Sequence, residues 1–189
     1  MRRVMLSAAL LAVFGGLEST AYVRLPVAQF TGRSVVAASA ARLELRRVDI
    51  VISDWSTGSD HRELVRALVD GGSRAFFNTL CGYSSRGYVS VAGGRRFTLR
   101  YAWQVLEADG GRRIFVATDE PMPLADVNVV RTADAEPLAF LELQLDRAGR
   151  GIGKLSEADR LEVTEFGDVI GLRSFEVRSA DLIMVEEVH

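Results

Sequence analysis

Val48-Asp49-Ile50-Val51-Ile52-Ser53-Asp54-Trp55-Ser56-Thr57-Gly58-Ser59-Asp60 is the passage on which the fold turns. Val48, Ile50 and Ile52 fall on one side and Asp49 and Val51 on the other, which makes the run a strand because side chains alternate across a sheet. The polar turn after it delivers the chain to a helix. Asp60 and Glu63 have the spacing of a capping box, in which the first side chain accepts from an orphan helical N–H and the second reaches back to the cap. His61, Leu64, Val65, Leu68 and Val69 then share one helical stripe, with Arg62, Glu63, Arg66 and Asp70 opposite. Gly71-Gly72 ends that helix. Ser73 opens a shorter one whose Phe76, Phe77, Leu80 and Cys81 are spaced to pack on a core, and Gly82 stops it. The passage predicts a strand leading into an αα-hairpin that covers one face of a sheet.

Upstream, Leu43 and Leu45 occupy odd positions whereas Val48, Ile50 and Ile52 occupy even ones, so one buried face requires a bulge at Arg46-Arg47. Residues 22–41 carry no assignable period and are expected as an N-terminal arm. Met1-Arg2-Arg3 with the apolar run Val4 to Phe14 and the small residues Ser19-Thr20-Ala21 has the layout of a secretory signal, removed as residues 1–21. The apolar run is short of the roughly 20 residues that cross a bilayer, so no membrane span is expected in the mature chain. The expected location is therefore outside the cytosol, in the periplasm.

Downstream, residues 86–92 form a short strand. Phe97, Leu99, Tyr101, Trp103 and Val105 then alternate with Arg96, Thr98, Arg100, Ala102 and Gln104, which predicts a half-buried antiparallel strand with the first set inward. Asp109-Gly110 turns it into residues 112–118. Pro121 and Pro123 break the sheet, residues 127–137 read as a mouth loop, and further strands are expected at 138–146, 151–155, 161–166, 169–177 and 182–188. The expected fold is α+β: a mainly antiparallel sheet of about seven to nine strands, strongly curved or barrel-like, with a helical hairpin packed on it, all within one domain over 42–189.

The 189 residues balance 23 basic against 25 acidic side chains. That composition offers no global field for nucleic acid, and no basic run is interleaved with stacking aromatics. The single cysteine forbids an internal disulfide, and the apolar spacing around Cys81 places it in the core. Gly82 to Gly87 has the wrong spacing and the wrong turn for a nucleophile elbow. Gly149 to Lys154 lacks the flanking residues and the helix of a phosphate cradle, and reads as a hairpin turn. Gly-Gly-Arg-Arg occurs at 93–96 and at 110–113, and if the two turns met, Arg95, Arg96, Arg112 and Arg113 would form a basic rim. His61 lies near Asp54, Asp60 and Glu63, a setting suited to a general base, but a zinc site needs more His or Cys than the chain owns. No metal and no cofactor are expected.

The turn Asp54-Trp55-Ser56-Thr57, the turn Thr118-Asp119-Glu120-Pro121 and the hairpin Gly149 to Lys154 together resemble those of a group of exported bacterial proteins of unassigned activity. The likeness covers residues 48–189, with Glu120 where that group carries arginine. It implies export and one compact domain, and brings no substrate or catalytic residue. The function expected is a periplasmic binding or interaction module for an apolar or amphipathic ligand, or for a segment of an envelope protein. The ligand would lodge between helices and sheet, with Trp55, His61, Phe76, Tyr101 and Trp103 as the binding residues. The alternatives are a hydrolase-like enzyme using Asp54, His61 or Asp119, and an envelope structural protein without a pocket.

Overall fold

The period of two in Val48, Ile50 and Ile52 carries those side chains into the interior of a closed barrel, where all three are buried. The computed structural model describes residues 25–39, 42–122, 138–158 and 178–188. Among them eight strands run β1 (Ala28–Ser39), β2 (Arg42–Ile52), β3 (Gly87–Val91), β4 (Arg96–Leu106), β5 (Arg112–Thr118), β6 (Leu138–Leu145), β7 (Arg150–Ala158) and β8 (Arg178–Glu187). Each pairs antiparallel with its sequence neighbour, and β8 returns to β1 to close the ring. A helical element, α1 (Gly58–Cys81), is inserted between β2 and β3.

Barrels of this strand number are just wide enough for side chains to fill. Phe30, Ile50, Leu99, Ile114, Leu141, Leu155 and Leu182 do so here, with Met122 packed into the same cluster. A second apolar layer lies outside the barrel. Leu64, Leu68, Phe76 and Leu80 of α1 cover Tyr101, Ala117, Leu138 and Phe140, and the Phe76 and Phe140 rings stand 5.8 Å apart.

An unbroken helix of 24 residues would be about 36 Å long. Yet the Tyr83 hydroxyl, just past its C-terminus, donates to the Asp60 carbonyl in its first turn at 3.0 Å. The element reverses at Gly72, whose φ of 67° and ψ of −164° are open in practice only to glycine. The hairpin predicted by Gly71-Gly72 is thus carried within one element of two arms. Its cap lies three residues before the expected one. Thr57 Oγ1 accepts from Asp60 N at 3.2 Å and Asp60 returns to Thr57 N at 2.8 Å, while Glu63 receives the Tyr83 hydroxyl instead.

Several expectations are corrected. Ala28–Ser39, expected as an arm, is the strand that closes the barrel against both β2 and β8. The β1–β2 register runs unbroken past Arg46-Arg47, so there is no bulge there, and Leu43 and Leu45 point outward, 71% and 51% exposed. β4 does not keep one face. Its register with β5 passes from Leu99↔Thr118 to Tyr101↔Ala117, leaving Arg100 as the extra residue of a bulge. Phe97, Leu99 and Ala102 face the interior, whereas Tyr101 and Trp103 join the outer layer under α1. Cys81 is exposed, not core. The two Gly-Gly-Arg-Arg turns lie at opposite ends of β4, so no common rim forms. Arg95 pairs with Glu120 and Arg112 with Glu187. Residues 149–154 lead from a hairpin into β7, with Asp146 Oδ1 accepting from Ala148 N at 2.8 Å and Arg150 N at 2.9 Å. The leader 1–21, the loop 127–137 and the strands expected at 161–166 and 169–177 lie outside the described residues.

Candidate functional site

The site begins where the helix is pinned to the barrel. Ser56 is buried and bonds Ala102 twice, its N–H donating to the Ala102 carbonyl at 2.7 Å and its Oγ accepting from Ala102 N at 3.1 Å. That clamp sets Trp55 against the barrel core and starts α1 directly over β4. One turn on, His61 reaches the outer face of the bulged strand. Its Nδ1 lies 2.7 Å from the Tyr101 hydroxyl and its ring stacks on Trp103, centroids 4.9 Å apart and 8° from parallel. Burial, and after it nearby Tyr83 and Asp60, raise the Tyr101 hydroxyl well above its ordinary 10.0, so it keeps its proton across the physiological range. Either tautomer closes the pair: the hydroxyl donates to a bare Nδ1, or Nδ1–H donates to the hydroxyl oxygen.

An ionic network binds the hairpin's ends together beside this stack. Arg86 contacts Asp54 at 3.0 Å and Asp60 at 2.9 Å. The Tyr83 hydroxyl is shared between the Asp60 carbonyl and Glu63 Oε2, 3.1 Å away, and burial followed by the Glu63 bond raises its pKa strongly. Arg100, projecting from the bulge, reaches Asp119 at 2.8 Å and the Tyr83 carbonyl at 3.1 Å. Asp54 and Asp119, the acids considered for hydrolysis, each hold an arginine. Among the described residues no group of three His, Cys, Asp or Glu side chains is placed to hold a metal ion.

Beyond His61 the outer face of β4–β5 leaves the cover of α1. Trp103 stands opposite Phe115, and Val105 opposite Arg113. Leu106 is 79% exposed. Val105, Leu106, Glu107, Ala108 and Arg113 line a depression of about 310 Å³. A terminal nitrogen of Arg113 meets Glu107 at 2.8 Å, while its Nε is buried without a hydrogen bond, 3.5 Å from Glu142.

The structure therefore brings His61, Tyr101 and Trp103 together. It places Phe76 deep in the layer between α1 and the barrel, fully buried, and Trp55 at the barrel core on the far side of the Ser56 clamp. The pairings of Trp103 with Phe115 and of Val105 with Arg113 were missed. The signal for them was available, because the Asp109-Gly110 hairpin fixes the pairing of the strands it joins. Comparison with known proteins adds nothing to this geometry: no protein family, no curated protein and no solved structure matches the chain.

Proposed function

We propose that the chain is a binding module of the cell envelope that takes the apolar part of an amphipathic ligand on the outer face of β4–β5, where the aromatic strip emerges from under α1. One observation carries the reading. His61 stacks on Trp103, Trp103 faces Phe115 across β4–β5, and Val105, next on the same face of β4, lines the depression that exposed Leu106 also borders. Burying a large apolar side chain is worth about 1.5–3 kcal/mol, so a leucine left this open at the edge of the depression is a ready contact for an apolar group. The volume lies at the small end of ligand sites, which suits one chain or ring. The proposed location outside the cytosol rests on the charged start and apolar run of residues 1–21.

The test is a titration with 8-anilinonaphthalene-1-sulfonate, excited through tryptophan. The probe is expected to bind the folded protein once, with energy transfer from Trp103. Leu106→Asp should weaken that signal about tenfold or more without moving the denaturation midpoint, whereas Leu43→Asp, on another wall, should leave it intact. Equal binding by wild type and Leu106→Asp would end the proposal.

A further inference from the structure

The opposite wall of the barrel, where β1 meets β2 and β8, carries a second feature that the β4–β5 surface does not use. β8 has one residue more than either neighbour there: the register passes from Thr31↔Glu186 to Arg33↔Ile183 on one side and from Gly151↔Val185 to Gly153↔Leu182 on the other. Met184 makes this bulge by adopting φ 53°. Bulges of that form place glycine in the left-handed position, because a side chain there is strained. Methionine therefore bears a backbone cost, and it recovers nothing by burial, since it is 67% exposed. A strained residue kept at the surface calls for an account of what its side chain touches.

Beside Met184 lies a depression of about 280 Å³ lined also by Thr31, Gly32, Arg33, Arg47 and Glu186. Arg33 and Arg47 are directly opposite across β1–β2, an arrangement of like charges that costs stability unless an anion lies between them. The surrounding acids do not neutralise the pair. Asp49 is taken by Arg47, at 2.8 and 3.0 Å, and by the Thr31 hydroxyl at 3.1 Å. Glu186, which also lines the depression, lies between Thr31 and Arg150 in the register, so Arg150 offsets it from the neighbouring strand without an ion pair among the described residues. Arg33 is exposed and makes no ion pair or hydrogen bond among the described residues, so one positive charge is left over.

We infer that this depression binds the phosphate head of an amphipathic molecule, with Arg33 and Arg47 on the oxyanion and Met184 against the first methylenes behind it. A carboxylate is satisfied by one guanidinium fork, whereas a phosphate oxygen set engages two at once, which is what a side-by-side arginine pair supplies. The flexible thioether suits an apolar chain of no fixed shape.

Calorimetric titration of the full chain with hexyl phosphate tests this. Wild type is expected to bind it at least about tenfold more tightly than inorganic phosphate, Arg33→Gln to lose about tenfold, and the double variant Arg33→Gln/Arg47→Gln to lose binding altogether. Met184→Gly is the decisive variant: it should raise the denaturation midpoint by relieving φ, weaken hexyl phosphate and leave inorganic phosphate unchanged. Leu106→Asp should have no effect, which separates this site from the one on β4–β5. Retention on vesicles containing phosphatidic acid, lost in the double arginine variant, would assign the head to a membrane lipid; hexyl phosphate binding without retention would assign it to a dispersed amphiphile. No binding by wild type, equal binding of hexyl and inorganic phosphate, or an unaltered Arg33→Gln would each overturn the inference.

Discussion

Arg100 is held at both ends of its guanidinium, by Asp119 and by the Tyr83 carbonyl. Asp119 is mostly buried and its Oδ1 has no partner, so removing Arg100 strands an acid that already lacks one hydrogen bond. Arg100→Ala should cost about 1–3 kcal/mol in chemical denaturation, against about 0.5 or less for exposed Arg33→Ala. In the sequence Arg100 is only the polar member of an alternating strand. When both faces of a strand are covered, apolar side chains read alike whichever face they take, and the bulge that moves Tyr101 and Trp103 outward leaves no mark in their spacing. Tyr101 itself gives a pH test. Its folded pKa is raised above the ordinary 10.0 by burial first, so its contribution is fully present below about pH 10 and lost as pH rises beyond it. Urea denaturation at about pH 9 and about pH 11 should show a larger loss for wild type than for Tyr101→Phe.

At the scale of the element, α1 depends on its first turn more than on its length. Thr57 closes the capping box, and the Asp60 carboxylate that answers it also receives Arg86. Thr57→Ala should cost about 1 kcal/mol, Thr57→Ser nearly nothing, and Asp60→Ala more than either, because it removes the cap's reply and the Asp60 contact of Arg86 together, leaving Asp54 on that guanidinium. Thermal denaturation of the three variants sets the order, and a Thr57→Ser protein as weak as Thr57→Ala would contradict the cap. The hairpin was legible because Gly71-Gly72 leaves no other reading. The cap was not placed correctly, because Thr57-Gly58-Ser59-Asp60 and Asp60 to Glu63 have the same spacing and only the Ser56 clamp, a tertiary contact, selects the earlier one. His61 was legible as a residue of interest, but its partners were not, since they lie across the bulge.

The whole barrel is closed by the strand that looked least like one. The inward series Ala28, Phe30, Gly32, Ser34 contains one large apolar side chain, so it carries almost no hydrophobic period although it lies in the wall. A curved or barrel-like sheet was readable from the number of alternating runs; closure was not, because small residues fit the interior without announcing themselves. Deleting residues 1–24 should leave a folded protein, since the barrel begins at Ala28. Deleting residues 1–39 should expose the edges of β2 and β8, each with a row of unpaired N–H and C=O groups, and give a species that aggregates on concentration. Light scattering and circular dichroism on the two truncations distinguish them, and a monomeric, folded 40–189 chain would show that β1 is dispensable.

Closure by β1 and β8 also imposes an order in time. The strand nearest the start of the chain acquires its second neighbour only when the last strand exists, and at translation rates of about 5–20 residues per second that interval is on the order of ten seconds. Until then β1 holds β2 on one side and nothing on the other. The wall is therefore sealed by its oldest and newest parts together, and a nascent chain that stalls before Arg178 waits with its seam open.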